Sequence, residues 1–303
     1  MQCEAPRPAE AHERACGNPS SLRVDSMAGS APQPDSFVIV NADDWALNAA
    51  VTDRILACAR AGAISCASAM VFMDDSERAA GLAREHQVDV GLHLNLTSAF
   101  TSRTVPAQLR EHHRKIITFL RFERYTRVVF NPFLSRSFDY VTKAQIDEFD
   151  RIYGQAPRRI DGHHHMHLCA NVVTQNLLPK QAVIRRNQSF SAGEMSALNR
   201  WYRRSQDRYL ARHFSTSDYF FDLCPIDNSR LDRIMALART ANVEVATHPF
   251  ESEEYAFLMS GELVRHCPRV VIARGYTLRP SHAEGKSQQS CKPANAEVRK
   301  PSP

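Results

Sequence analysis

Phe37–Met73 reads FVIVNADDWALNAAVTDRILACARAGAISCASAMVFM. Phe37–Asn41 is apolar without alternation, the pattern of a strand covered on both faces. Ala49–Arg60 then repeats apolar residues at helical spacing through Val51, Ile55, Leu56 and Ala59, and Gly62 punctuates its end. Ser65–Met73 returns to a strand-like run, Asp75–His86 gives a second helix and Val88–Leu96 a third strand. This β-α-β-α-β order predicts an α/β fold with a parallel sheet flanked by helices, either doubly wound or closed into a barrel.

Working outward, Pro106–Gly154 is expected to be mostly helical, with basic and aromatic residues mixed through LREHHRKIITFLRFERYTRVVF. Such a stretch is either an insertion over the site or simply outer-layer helices, and it can face solvent or a membrane surface. Further strands are expected at Arg158–His167, Val243–Ala246 and Val270–Ala273, with a helix at Arg230–Thr240. Residues 1–35 and 281–303 are rich in Pro, Ala, Ser, Glu, Lys and Gln and are expected to be disordered tails around a folded domain at 36–280. Met27 stands just before the first strand, so a chain starting there is expected to fold and function as the longer one does.

With 303 residues and 43% hydrophobic content the chain can bury a sizeable core. Lys plus Arg number 38 against 33 Asp plus Glu, a net charge of +5 that lacks the concentrated basic footprint of a nucleic-acid binder. The 8 cysteines form no C-x-x-C pair, which argues against a disulfide framework or a zinc ribbon and for reduced thiols. No run of about 18 apolar residues occurs, so no transmembrane segment is expected and a cytoplasmic location is. A homodimer is left open.

Three segments place ionisable residues where a strand runs into a loop: Asn41-Ala-Asp-Asp-Trp45, Gly91-Leu-His-Leu-Asn95 and Asp161-Gly-His-His-His-Met-His167. In parallel α/β folds, sites assemble at the carboxyl ends of strands. Asp43 and Asp44 either cap the next helix or, as adjacent buried carboxylates, call for a cation; one then faces the ion while its neighbour faces water as a base. In an extended strand His93, Asn95 and Thr97 share a face, and Asp161, His163, His165 and His167 would share another, as a metal site with its supporting shell. His248 ends the strand VEVAT and can serve as a proton donor, since an unperturbed imidazole titrates near neutrality.

These motifs, NADDWALNAAVTDRILACARAGAISCASAMV, GLHLNLT, RRIDGHHHMHL and EVATHPFES, occur in an order that resembles the YdjC-like carbohydrate deacetylases, over about residues 37–279. That family includes chitooligosaccharide deacetylases and deacetylases associated with hopanoid lipid synthesis. The resemblance implies an irregular (β/α) barrel of the polysaccharide-deacetylase type and one divalent ion held by Asp44, His93 and His163. It implies Asp43 as general base, His248 as general acid, and Asp161, His165 and His167 as supporting or substrate-contacting groups. The family's usual Asp-Asp-Phe-Gly is here Asp43-Asp44-Trp45-Ala46. If that last position needs a positive φ, Ala46 costs on the order of 1 kcal/mol, and Trp45 is expected to narrow the sugar pocket.

The implied reaction is hydrolysis of an N-acetyl group on an amino sugar, in an oligosaccharide or a glycolipid. A His/His/Asp donor set suits zinc, with magnesium as the alternative. A metal-dependent phosphoesterase would need a second, bridging ligand set, and a non-catalytic metal protein would tolerate loss of Asp43.

Overall fold

The computed structural model describes residues 36–122, 125–189, 197–266 and 268–280. The expected tails at 1–35 and 281–303 lie outside these residues. Strand β1 (Phe37–Trp45) is buried along its whole length, longer than its apolar run alone predicts. It is followed by α1 (Ala49–Arg60), β2 (Cys66–Ala69), α2 (Ser76–Glu85) and β3 (Val90–Leu94). The expected β-α-β-α-β order therefore forms, with β2 and β3 shortened at their ends. Helix α1 is capped by Asn48, whose side chain accepts from the Val51 amide at 3.0 Å. The two aspartates are thus free of the capping task.

Every pairing in the sheet is parallel, in the order β5-β4-β3-β2-β1-β7-β6, with β8 (Val271–Ile272) added beside the first residues of β1. The outer members are β4 (Arg159–Gly162), β5 (Val183–Ile184), β6 (Tyr219–Asp222) and β7 (Val243–Thr247). The sheet curls until its two edges meet loosely: the Ile184 amide donates to the Ser215 carbonyl at 3.0 Å and the Ser189 amide to the Phe220 carbonyl at 2.7 Å. Of the two architectures the strand order allowed, the chain adopts the incomplete barrel.

Helices α3 (Ala107–Phe122) and α4 (Ser135–Tyr153) pack together outside β3 and bury Ile116, Leu120, Phe138, Val141 and Phe149. They are outer-layer helices that also brace a site loop. His113 of α3 is hydrogen-bonded to the Asn95 carbonyl at 3.0 Å, and Gln145 of α4 both accepts from the Asn95 amide and donates to its carbonyl. The turn after β3 is thereby fixed from outside. The remaining helices are α5 (Ala170–Thr174), α6 (Ala197–His213), α7 (Asn228–Ala238), α8 (Ser252–Ser260) and α9 (Glu262–His266). Cys58, Cys66, Cys169 and Cys224 are unpaired. Among the described residues no helix is long and apolar enough to cross a membrane.

Candidate active site

Parallel strands bring their carboxyl ends to one face, and the ionisable residues gather there: Asp43 and Asp44 from β1, His93 from β3, Asp161 and His163 from β4, and His248 just beyond β7. The register between β1 and β2 slips between Ala42 and Trp45, and Asp44 takes a left-handed φ of 67°. A bulge of this kind re-aims side chains. It explains how two adjacent carboxylates both serve one site. Ala46 has φ 73°, so the position that usually holds glycine does need the left-handed region. Trp45 does not narrow a sugar pocket: it is fully buried in the main core, where Tyr153 of α4 also packs.

The Asp44 Oδ1 atom lies 2.9 Å from His163 Nδ1 and 3.3 Å from His93 Nε2. It is buried, and neither contact meets hydrogen-bond geometry. One donor atom from each of Asp44, His93 and His163 lies within 4.8 Å of the other two, close enough to hold a metal ion. Surrounding carboxylates outweigh the effect of burial and raise the His93 imidazole to about 10. The position attracts positive charge, which a proton or a cation can supply. Burial opposes the charged form of Asp44, yet the two imidazoles hold its carboxyl well below the usual range.

Behind these groups lies a buried ion network that sequence reading missed. Arg185 directly follows the two-residue β5 and continues its pairing, its amide donating to the Ile160 carbonyl at 3.1 Å. Its guanidinium grips Asp43 bidentately at 2.6 and 2.8 Å, reaches Asp161 at 2.9 Å, and donates from Nε to Glu244 at 2.7 Å. Asn41 donates to Asp43 at 2.6 Å, Ser68 to Asp161 at 2.5 Å, and the Tyr276 hydroxyl to Glu244 at 2.9 Å. Burial pushes Asp43 and Asp161 up, but Arg185 and His93 prevail and leave both below the usual carboxylate range. The parallel register sets His93 beside Asp161, and Asp161 Oδ1 meets His93 Nδ1 at 2.6 Å. That contact fixes the ring so that Nε2 faces Asp44.

The histidine-rich segment departs from the expected strand. Strand β4 stops at Gly162, and His163–Leu168 coils into tight turns with His164 and His165 at φ 55° and 60°. The chain folds back so closely that a Cβ on Gly162 would sit 2.8 Å from the His167 amide nitrogen. Asp161, His163, His165 and His167 therefore do not line one face. His163 turns to Asp44, His165 sets its ring edge-on to Phe220, and buried His167 bonds through Nε2 to the Arg185 carbonyl at 2.9 Å. His164, which carried no expectation, meets the Thr97 hydroxyl at 2.9 Å beside His163.

His248 is half-buried, with Nε2 3.9 Å from Asp43 Oδ2 and Nδ1 3.8 Å from Glu254 Oε1. Glu254 is fixed by the Thr247 hydroxyl and the His248 amide, both at 2.6 Å. Burial works against a charged His248, but Glu254 and Asp43 outweigh it and raise the imidazole to about 9. Asp222 ends β6 nearby; its Oδ2 accepts from Gln188, its Oδ1 is buried without a partner, and burial pushes the carboxyl above its ordinary value. Neither Glu254 nor Asp222 was read from the sequence. The available signals were an acid in the first turn of α8 and an acid at a strand terminus.

The family model for YdjC-like proteins matches residues 37–268, and every segment of the strand-end cluster lies within that span. The chain belongs to the YdjC-like family. A chitooligosaccharide deacetylase of Enterobacter sp. (strain 638) is 28% identical over 62% of this chain and 69% of its own length. A carbohydrate deacetylase of Vibrio parahaemolyticus is 24% identical over 74% of this chain and 82% of its own. One from Geobacillus stearothermophilus is 32% identical over 45% of this chain and 52% of its own, so against some curated relatives the chain spans about half the length. Among solved structures, a candidate cellobiose-phosphate cleavage protein of Enterococcus faecalis has a TM-score of 0.58 at 18% identity, covering 78% of this chain and 97% of that one. That likeness concerns the fold.

Proposed function

We propose that this YdjC-like chain is a metal-dependent N-deacetylase, acting through the domain at 36–280 on an N-acetylated amino sugar carried by an oligosaccharide or a glycolipid. The observation that carries the reading is the buried, unbonded Asp44 Oδ1 facing His93 and His163, with Asp43 and His248 alongside. The names of the relatives support the substrate class.

Asp44, His93 and His163 would hold one divalent cation, zinc by preference of the donor set or magnesium. When bound, that cation supplies Lewis acidity, making a water acidic enough for a weakly basic carboxylate to deprotonate and polarising the acetamide carbonyl. Asp43, aimed by Arg185 and Asn41, accepts the proton as the water oxygen bonds to the carbonyl carbon. His248, kept protonated by Glu254, donates its proton to the amide nitrogen as the carbon–nitrogen bond breaks. Acetate and a free amino sugar leave. Asp161 positions His93, and the unpaired Oδ1 of Asp222 accepts from a sugar hydroxyl. His165 contributes to the sugar pocket, whereas His167 supports the backbone that bears Arg185.

A two-metal phosphoesterase fits less well. Asp43, His93 and Asp161 also lie close enough to ligate, but Arg185 already hydrogen-bonds or ion-pairs with both of those carboxylates. The test is acetate release from N-acetylglucosamine oligomers by the parent and by Asp43→Asn, with bound metal measured in each. A variant that keeps its metal and loses release supports the reading; undiminished release sinks it.

A further inference from the structure

The stretch that joins α3 to α4 carries an unusual surface. Phe122 is 79% exposed and Phe133 94%, with Tyr125, Val129 and Phe130 also exposed between them. An open groove of about 410 Å³ brings Phe122, Thr126 and Leu134 together, so the two ends of this stretch meet at one groove. Contiguous exposed apolar surface marks an interaction site more often than isolated apolar residues do.

The charges around this face are mostly positive. Arg121, Arg127 and Arg136 are exposed and enter no ion pair with a described carboxylate, while Arg114 and Lys115 at the groove share Glu111. The face also borders the candidate site. Asn131, within it, exchanges two hydrogen bonds with Asn171 of α5, just past the histidine turn.

We propose that this aromatic, cationic face docks the protein on a membrane surface containing anionic lipid, with the site mouth at the interface. Aromatic and aliphatic side chains enter the headgroup boundary while arginines meet lipid phosphates. A second copy is a poor occupant, because a two-fold contact would set the same arginines against one another. The terminal stretches 1–35 and 281–303 contain no aromatic residue and offer little apolar surface to cover the face. Docking does not rest on the deacetylase reading, and its test involves no turnover.

The test is co-sedimentation of the full chain with vesicles of phosphatidylcholine alone or with added phosphatidylglycerol, at low and high salt. The expected result is retention by the anionic vesicles that weakens with salt. Phe122→Ser combined with Phe133→Ser should lower partitioning about tenfold or more, as should Arg121→Glu with Arg127→Glu, while Met259→Ser on α8 leaves it unchanged. Phe133→Ser alone serves if a double variant fails to fold. Absence of binding, equal binding to both vesicles, or a Phe122- and Phe133-dependent dimer in place of vesicle binding overturns the proposal.

Discussion

The two sides of the candidate site differ in how their polar atoms are satisfied. Around Arg185, every carboxylate oxygen of Asp43, Asp161 and Glu244 already has a donor. Around Asp44, two imidazoles approach a buried oxygen that accepts no hydrogen bond. A saturated network holds its members in place, whereas an unsaturated cluster has capacity for a ligand. The difference teaches a division of labour: the Arg185 side positions, aiming Asp43 as the base, and the Asp44 side binds the cation.

That division predicts different failures on the two sides. On the cation-binding side, His163→Ala should abolish stoichiometric metal binding and lower acetate release by about a thousandfold or more, with unfolding in denaturant changed by less than about 1 kcal/mol because the ring is partly exposed. On the positioning side, Arg185→Met leaves three buried carboxylates without their cation and should cost about 3–5 kcal/mol in the same unfolding measurement. If both substitutions merely destabilise, or neither does, the division fails.

The acid beside Asp43 sharpens the comparison through pH. His248 is raised to about 9, so its proton is present at neutrality and is lost as pH rises through that value. Activity should therefore hold through neutral pH and decline on the alkaline side. Glu254→Gln removes a raising influence, and the alkaline limb should move toward neutrality by about one pH unit. A limb that stays in place would assign the donor role elsewhere. At the acid end, cation binding must displace the proton that the His93 environment favours, so metal affinity should fall as pH is lowered.

The smallest effect concerns the bulged loop. Ala46→Gly relieves a left-handed φ of 73° but loses a buried methyl and gains chain entropy in the unfolded state. These offset, and stability should stay within about 1 kcal/mol of the parent. Ala46→Val, branched at the same φ, should be clearly worse in thermal unfolding.

Much of this was legible because hydrophobic pattern and strand order carry it. The run Phe37–Asn41, the spacing in Ala49–Arg60 and the polar residues at the ends of β1, β3, β4 and β7 led to an α/β barrel or doubly wound sheet and to the residues that gather. Arg185 was hidden because a two-residue strand has no periodicity and the residue's meaning lies in three carboxylates distant in sequence. The spacing of His163, His165 and His167 fits a strand, but Gly162 permits a reversal that the alternation cannot reveal. Trp45 was misjudged since the bulge turns it into the core while its neighbour Asp44 turns into the site.

The most direct test of the central claim is acetate release from N-acetylglucosamine oligomers by the chain stripped with chelator and then given stoichiometric zinc or magnesium. The account predicts no release from the stripped chain and recovery with a single bound ion. Full release without metal, or none from any acetylated amino sugar by the reloaded chain, would contradict it.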